Sequence, residues 1–144
     1  MSIFERKVRL PTGKEIGIHD ILTFCYGLSE TDIEVLRQVA EYGKEGTTVD
    51  NLVKSLKLSR ASISRSLTKL VDLGFVIRRK LPPSGAGRPK YVYVAIAPKE
   101  LAERIQKDIQ QCTQSAMDLI EEFAAMLTSR IKTEKEGSEG EASS

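Results

Sequence analysis

Apolar positions recur along this chain in two periods, and the points where one gives way to the other divide it into elements. From about Ile18 to Tyr26 the set Ile18, Ile21, Leu22 and Cys25 follows the i, i+3, i+4, i+7 spacing of one helix face, stopped by Gly27. Ser29-Glu30-Thr31-Asp32 then has the hydroxyl-to-acid spacing of a capping box, in which two side chains satisfy backbone amides left open at a helix start. The helix it opens is expected to turn Ile33, Leu36, Val39 and Ala40 inward and to end near Gly43. Gly46 and Thr47 make a turn, and Thr48 caps a short helix with Val49, Leu52, Val53 and Leu56 on one face. Ser59 caps the next helix, over roughly residues 60–73, closed by Gly74.

That helix has the stripe Ile63, Leu67, Leu70 and Val71. At about 100° per residue, Ala61, Arg65, Thr68, Lys69 and Asp72 fall on the opposite side. After Gly74 the pattern turns β-branched and aromatic. Residues 75–81 and 91–97 read as two strands joined by Pro82-Pro83-Ser84-Gly85-Ala86-Gly87-Arg88-Pro89-Lys90, a hairpin with a long loop. Pro98 suits a first helical turn, and a helix is expected from there to Lys132. Within it Ala102, Ile105, Ile109, Cys112, Ala116, Leu119, Phe123 and Met126 alternate spacings of three and four, a heptad seam widened by Ile120 and Leu127. A helix of about 30 residues is roughly 45 Å long, more than so small a head can cover, so a second subunit is expected on the seam. Residues 1–14 mix apolar and basic positions around Pro11 and Gly13, as a loose arm or an edge strand would. Residues 133–144, TEKEGSEGEASS, are expected to be a disordered tail. The organisation is thus an arm at 1–14, a head at 15–97, a long helix at 98–132 and the tail. The class is mainly α with a small β-hairpin (α+β).

Composition narrows the function. With 144 residues, 40% of them apolar and 29% charged, the chain suits one soluble domain plus an extension. No apolar run approaches the roughly 18 residues of a membrane span, and MSIFERKVRL lacks the apolar core of a secretory signal, so a cytoplasmic protein is expected. Cys25 and Cys112 lie far apart in unlike contexts and read as reduced thiols. Cys112, on the seam, also suggests a redox-linked bridge between subunits, against the plainer role of a small buried apolar residue. Charge changes the picture most. Residues 48–97 hold ten Lys and Arg against Asp50 and Asp72, a net +8 in a chain of +2, which leaves −6 elsewhere. A positive block confined to one motif points to a phosphate backbone.

Helix, tight turn, helix and basic hairpin, in that order, make a helix-turn-helix followed by a wing, and double-stranded DNA is the partner such a surface fits. The outward half of the second helix offers Ser59, Arg60, Ala61, Ser62, Ser64, Arg65, Thr68 and Lys69. Its small groups allow close approach, and Arg65 is long enough to take guanine O6 and N7 together. In the wing the candidates are Arg78, Lys80, Arg88 and Lys90, since alternation sends Arg79 to the other face. Gly87-Arg88-Pro89 is similar to the core of an AT-hook, whose arginine enters a narrow A·T-rich minor groove. Catalysis finds no such support. His19, the single histidine, lacks a nucleophile with an orienting third group, no Gly-rich loop precedes a helix, and His19, Cys25 and Cys112 lack metal-ligand spacing. No catalytic residue, cofactor or metal is assigned. Two rivals remain: a winged helix used as a protein-interaction module of the transcription machinery, and a sequence-tolerant, chromatin-like DNA-binding protein.

The stretch TVDNLVKSLKLSRASISRSLTKLVDLGFVIRRK, with an L-x-x-L-G-F-V exit at Leu70 to Val76, resembles the winged-helix domain of the MarR and TrmB transcription regulators, particularly small archaeal members. The resemblance implies a homodimer on a pseudo-palindromic operator, with recognition helices in successive major grooves and wings in flanking minor grooves. TrmB proteins of full length carry a large sugar-binding C-terminal domain where this chain has a long helix and tail. MarR proteins often hold aromatic ligands beside the dimer helices, where this chain offers Tyr26, Tyr42 and Phe123. A small-molecule effector is therefore left open as a partner.

Overall fold

The computed structural model describes residues 5–82 and 90–142. Its elements are β1 (Lys7–Arg9), β2 (Glu15–Gly17), α1 (Ile18–Tyr26), α2 (Glu30–Glu41), a 3-10 turn at Gly43–Glu45, α3 (Val49–Leu56), α4 (Arg60–Asp72), β3 (Val76–Lys80), β4 (Tyr91–Ala95) and α5 (Pro98–Ala142). The chain is mostly helical with small antiparallel hairpins, as the periodicity implies.

Local chemistry sets the helix ends. The Asp32 amide donates to Ser29 Oγ while the Ser29 amide donates to Asp32 Oδ2 at 2.9 Å, closing the capping box of α2. Thr48 and Ser59 accept from amides three residues on and start α3 and α4. Between these two helices the chain reverses at Lys57, held in the left-handed region at φ 55°. At the far end of α4, Gly74 (φ 78°) donates to Val71 O at 2.9 Å and Phe75 to Leu70 O at 3.0 Å, which satisfies carbonyls the helix leaves open.

Helix α2 is the hub of the head, packed against α1, α3, α4 and β4. Cover on several sides widens its buried face beyond the single stripe expected. Val35 joins Ile33, Leu36 and Val39 in the core, whereas Ala40 is exposed. In the wing, Arg78 pairs with Tyr93 and Lys80 with Tyr91. Thr47 adds a short third edge through Thr47 N–H to Tyr93 O at 2.9 Å and Tyr93 N–H to Thr47 O at 2.8 Å. Gly46 permits that approach, since a Cβ there would lie 2.6 Å from Tyr93 O.

At the N-terminus β1 pairs with β2, so the edge-strand alternative holds and the hairpin spans the boundary drawn after residue 14. Pro11 sits at the second position of its turn, which Gly13 closes by donating to Leu10 O at 2.8 Å.

The chain forms two compact units, Met1–Ile105 and Gln106–Ser144. The first includes the opening turns of α5, where Leu101 and Ile105 pack against the head's core. Ile105, expected on an intersubunit seam, is thus partly buried against the head's own core. In the second unit α5 continues to Ala142, so residues 133–142, expected to be disordered, have a helical backbone. Lack of an apolar period argues against burial, not against helix, and Glu, Lys and Ala are good helix formers. Leu119, Ile120, Phe123, Met126 and Ile131 are each more than half exposed there. Neither Cys25 nor Cys112 is a free thiol, which corrects the reduced-thiol reading. A prior from compartment and spacing does not say what a sulfur meets in a fold. Among the described residues no helix is long and apolar enough to cross a membrane, and no group of His, Cys, Asp and Glu could hold a metal ion.

Candidate nucleic-acid interface

The candidate residues gather on α4, a 13-residue helix with two contrasting sides. Ile63, Leu67 and Leu70 are at most 1% exposed, while Ser59, Arg60, Ala61, Ser64, Arg65, Thr68 and Lys69 are exposed and Ser62 half-buried. The angular reading therefore places the outward face correctly. It does not reveal which of those groups are already engaged.

Asp32 engages two of α4's polar residues from α2. Its carboxylate is buried, 3% exposed, and accepts from Ser66 Oγ at 2.6 Å, Lys69 Nζ at 3.0 Å and the Ser29 amide. Burial alone pushes this carboxyl up, but hydrogen bonds from Ser66, the Ser29 amide, Lys69 and the Ser29 side chain outweigh it and hold the pKa below the ordinary aspartate value. The capping-box reading accounts for one of these partners only. A signal for the second exists in the sequence: Ser66 lies three residues from Ile63 and four from Leu70, inside the apolar stripe, where a hydroxyl needs a buried acceptor.

The three cations of α4 thus differ. Lys69 is held by Asp32, although its side chain is 55% exposed. Arg60 pairs with Asp50 of α3, both well exposed. Arg65 has no carboxylate partner among the described residues, and its Nη2 lies 3.4 Å from Ser62 Oγ, which also accepts from Ser59 Oγ at 2.9 Å. Thr68 donates to Ser64 O in its own helix at 2.9 Å.

In the wing, the register places Arg78 and Lys80 with Tyr93 and Tyr91 on one face and Arg79 opposite Val92 on the other, as alternation predicts. The Arg78 guanidinium carbon lies 4.4 Å from the Tyr91 ring centroid, a cation–π contact that holds the arginine on the strand. Lys80 and Lys90 are exposed. Arg88 lies outside the described residues. One further residue, Arg104 of α5, reaches the end of α4 and donates to Gly74 O at 2.8 Å. No periodicity or motif marks it.

Comparison with known proteins follows the same outline. A profile described as "Sugar-specific transcriptional regulator TrmB" matches residues 22–99. A solved structure described as a possible transcriptional regulator from Methanosarcina mazei Go1 is 23% identical with a TM-score of 0.69, covering 81% of this chain and 96% of its own. A protein from the thermoacidophilic archaeon Sulfolobus tokodaii is 33% identical with a TM-score of 0.57, covering 69% of this chain and 90% of its own. No curated protein matches the chain.

Proposed function

The chain belongs to the TrmB family of transcriptional regulators, and from that premise we propose that it reads double-stranded DNA sequence-specifically as a homodimer, α4 in the major groove and the β3–β4 wing in the adjacent minor groove. A cytoplasmic location goes with that reading.

The observation that carries it is the outward face of α4. Arg65, not neutralised by a carboxylate among the described residues, stands beside Ala61 and Ser64 on a helix whose other side is clamped through Asp32. Short neighbours let the helix approach the base edges, and a fixed guanidinium can bond guanine O6 and N7 together, which specifies a base where a phosphate contact only positions the protein. Lys80 and Lys90 would track the backbone from the wing, with Arg88 in the minor groove. Arg60 and Lys69 contribute field, but each shares its charge with an acid of its own chain. The dimer is assigned to the seam of α5. A contiguous apolar stripe through Leu119, Phe123 and Met126 is a surface that soluble monomers rarely keep exposed.

Salt titrations on a duplex selected from genomic fragments and on its scrambled counterpart test the reading. Sequence-specific binding predicts a ratio on the order of 10³ or more between them, together with a linear loss of affinity in log salt. Equal affinity for both would leave a chromatin-like coat, and binding to neither a protein partner. The family's description names sugars; adding sugars to the complex tests whether that extends to this chain.

A further inference from the structure

We infer that the distal half of α5 pairs with a second copy of itself in antiparallel direction, with the twofold axis between Ala124 and Ala125. The inference deepens the dimeric reading above and rests on it. Features of the exposed side decide the direction. Continued at its own spacing, the seam Leu119, Phe123, Met126 next reaches Arg130, so a cation stands at a seam position. The flanks of the seam differ: Ile120 and Leu127 follow its members on one side, whereas Glu122 and Ser129 precede them on the other. All of these residues are exposed, and neither Glu122 nor Arg130 has an ion partner among the described residues.

In a parallel pair in register, each seam residue meets its own copy and unlike flanks face each other. Arg130 would then stand against Arg130, and Leu127 against Glu122, which joins a like-charge repulsion to a carboxylate set on an apolar neighbour. In an antiparallel pair like flanks meet. Ile120 then packs on Leu127 of the other copy, and Glu122 faces Ser129. Arg130 lies over Leu119, where its apolar stem is covered and its guanidinium extends toward Glu122 of the other copy. Register follows from what each alternative would join. Pairing Phe123 with Met126 puts the axis between Ala124 and Ala125 and makes all of these contacts. A slide of one heptad toward the start of α5 sets Glu122 against Glu122. A slide of two needs Cys112 and Ile105 on the seam, but Cys112 is disulfide-bonded and Ile105 is packed against the head. A slide of one heptad the other way leaves Leu119 opposite Gly137. Met117 and Ile131 widen the apolar side without favouring either direction.

Distances between spin labels on the full chain read the direction. Gln110 and Ala124 are exposed and lie two heptads apart, on one face of the repeat. Gln110→Cys and Ala124→Cys are made separately and labelled without reductant, which leaves the disulfide-bonded native cysteines unreactive, and peptide mass confirms a single label at the new position. At 1.5 Å per residue, the antiparallel pair separates the two Ala124 labels by about 2 Å along its axis and the two Gln110 labels by about 43 Å. A parallel pair gives one separation at both sites. The expected result is a distance at Gln110 longer than that at Ala124 by about 20 Å or more. Equal distances overturn the inference and leave a parallel dimer. Should a label prevent pairing, charge exchange reads the same contact. Glu122→Arg should raise the dimer dissociation constant about threefold in sedimentation, and adding Arg130→Glu should recover at least part of that loss. No recovery overturns the inference. An unaltered chain that sediments as a monomer overturns the dimeric reading, and the inference with it.

Discussion

Helices α4 and α5 carry apolar residues at the same spacing and meet opposite fates. In α4, Ile63, Leu67 and Leu70 are at most 1% exposed, whereas in α5 Leu119, Phe123 and Met126 are 66%, 56% and 52% exposed. Polar groups diverge in the same direction. Ser66 and Lys69 of α4 bond Asp32, more than 30 residues away, while Gln114 of α5 bonds Asp118 in the next turn of its own helix. A helical period says which side of a helix is apolar and is silent on which molecule covers it. α4 is completed within its chain; distal α5 has its apolar side unfilled among the described residues.

Paired truncations should break that comparison or confirm it, and with the largest effects. Leu67→Ala is expected to destabilise the head by about 2–5 kcal/mol, because the surrounding core collapses only partly around the lost volume. Phe123→Ala should leave the head's urea midpoint unchanged and raise the dimer dissociation constant on the order of 10-fold or more in sedimentation. Equal destabilisation of the head by both would mean that α5's stripe is buried by its own chain after all.

The next test sharpens what clamps α4. Asp32 has a folded pKa below its unfolded value of about 3.9, so its stabilising effect is fully present above about pH 4 and is lost as pH falls through the folded pKa. Asp32→Asn should reduce stability at pH 7 by about 1.5–3 kcal/mol, the range for hydrogen bonds to a charged group. It should also flatten the fall in stability between about pH 5 and pH 2. Denaturant melts across that range decide it, and an acid limb as steep as that of the unaltered protein would assign the dependence to another carboxylate.

These two cases mark what was legible from the residues. Helix ends were, because Ser29, Thr48, Ser59, Gly27 and Gly74 act through amides and carbonyls a few residues away. The outward face of α4 was also legible, since it follows from angle alone. The clamps were not: Asp32 to Ser66 and Arg104 to Gly74 join residues 34 and 30 apart, and no period connects them. Strands as short as β1 and β2, three residues each, are below the length at which alternation can be seen. The ion partners of Arg60 and Lys69 belong to the same class of long-range fact, and they change the ranking of the site's cations.

That ranking supplies the smaller tests. Arg65→Ala should weaken binding to a selected site by about 1–3 kcal/mol and relax discrimination at one base position, as loss of a bidentate guanine contact would. Uniform weakening across sequences would reassign Arg65 to a phosphate. The smallest effect concerns Arg60, whose partner Asp50 sits on the neighbouring helix. An exposed pair of this kind contributes at most about 1 kcal/mol to folding, so Asp50→Asn should leave stability nearly untouched. On DNA the same carboxylate competes with phosphate for the guanidinium. Removing its charge should therefore raise affinity a few-fold at low salt and steepen the salt dependence by up to about one released counterion. An unchanged slope would show that Arg60 keeps clear of the backbone, leaving Arg65 as the cation on which α4's reading depends.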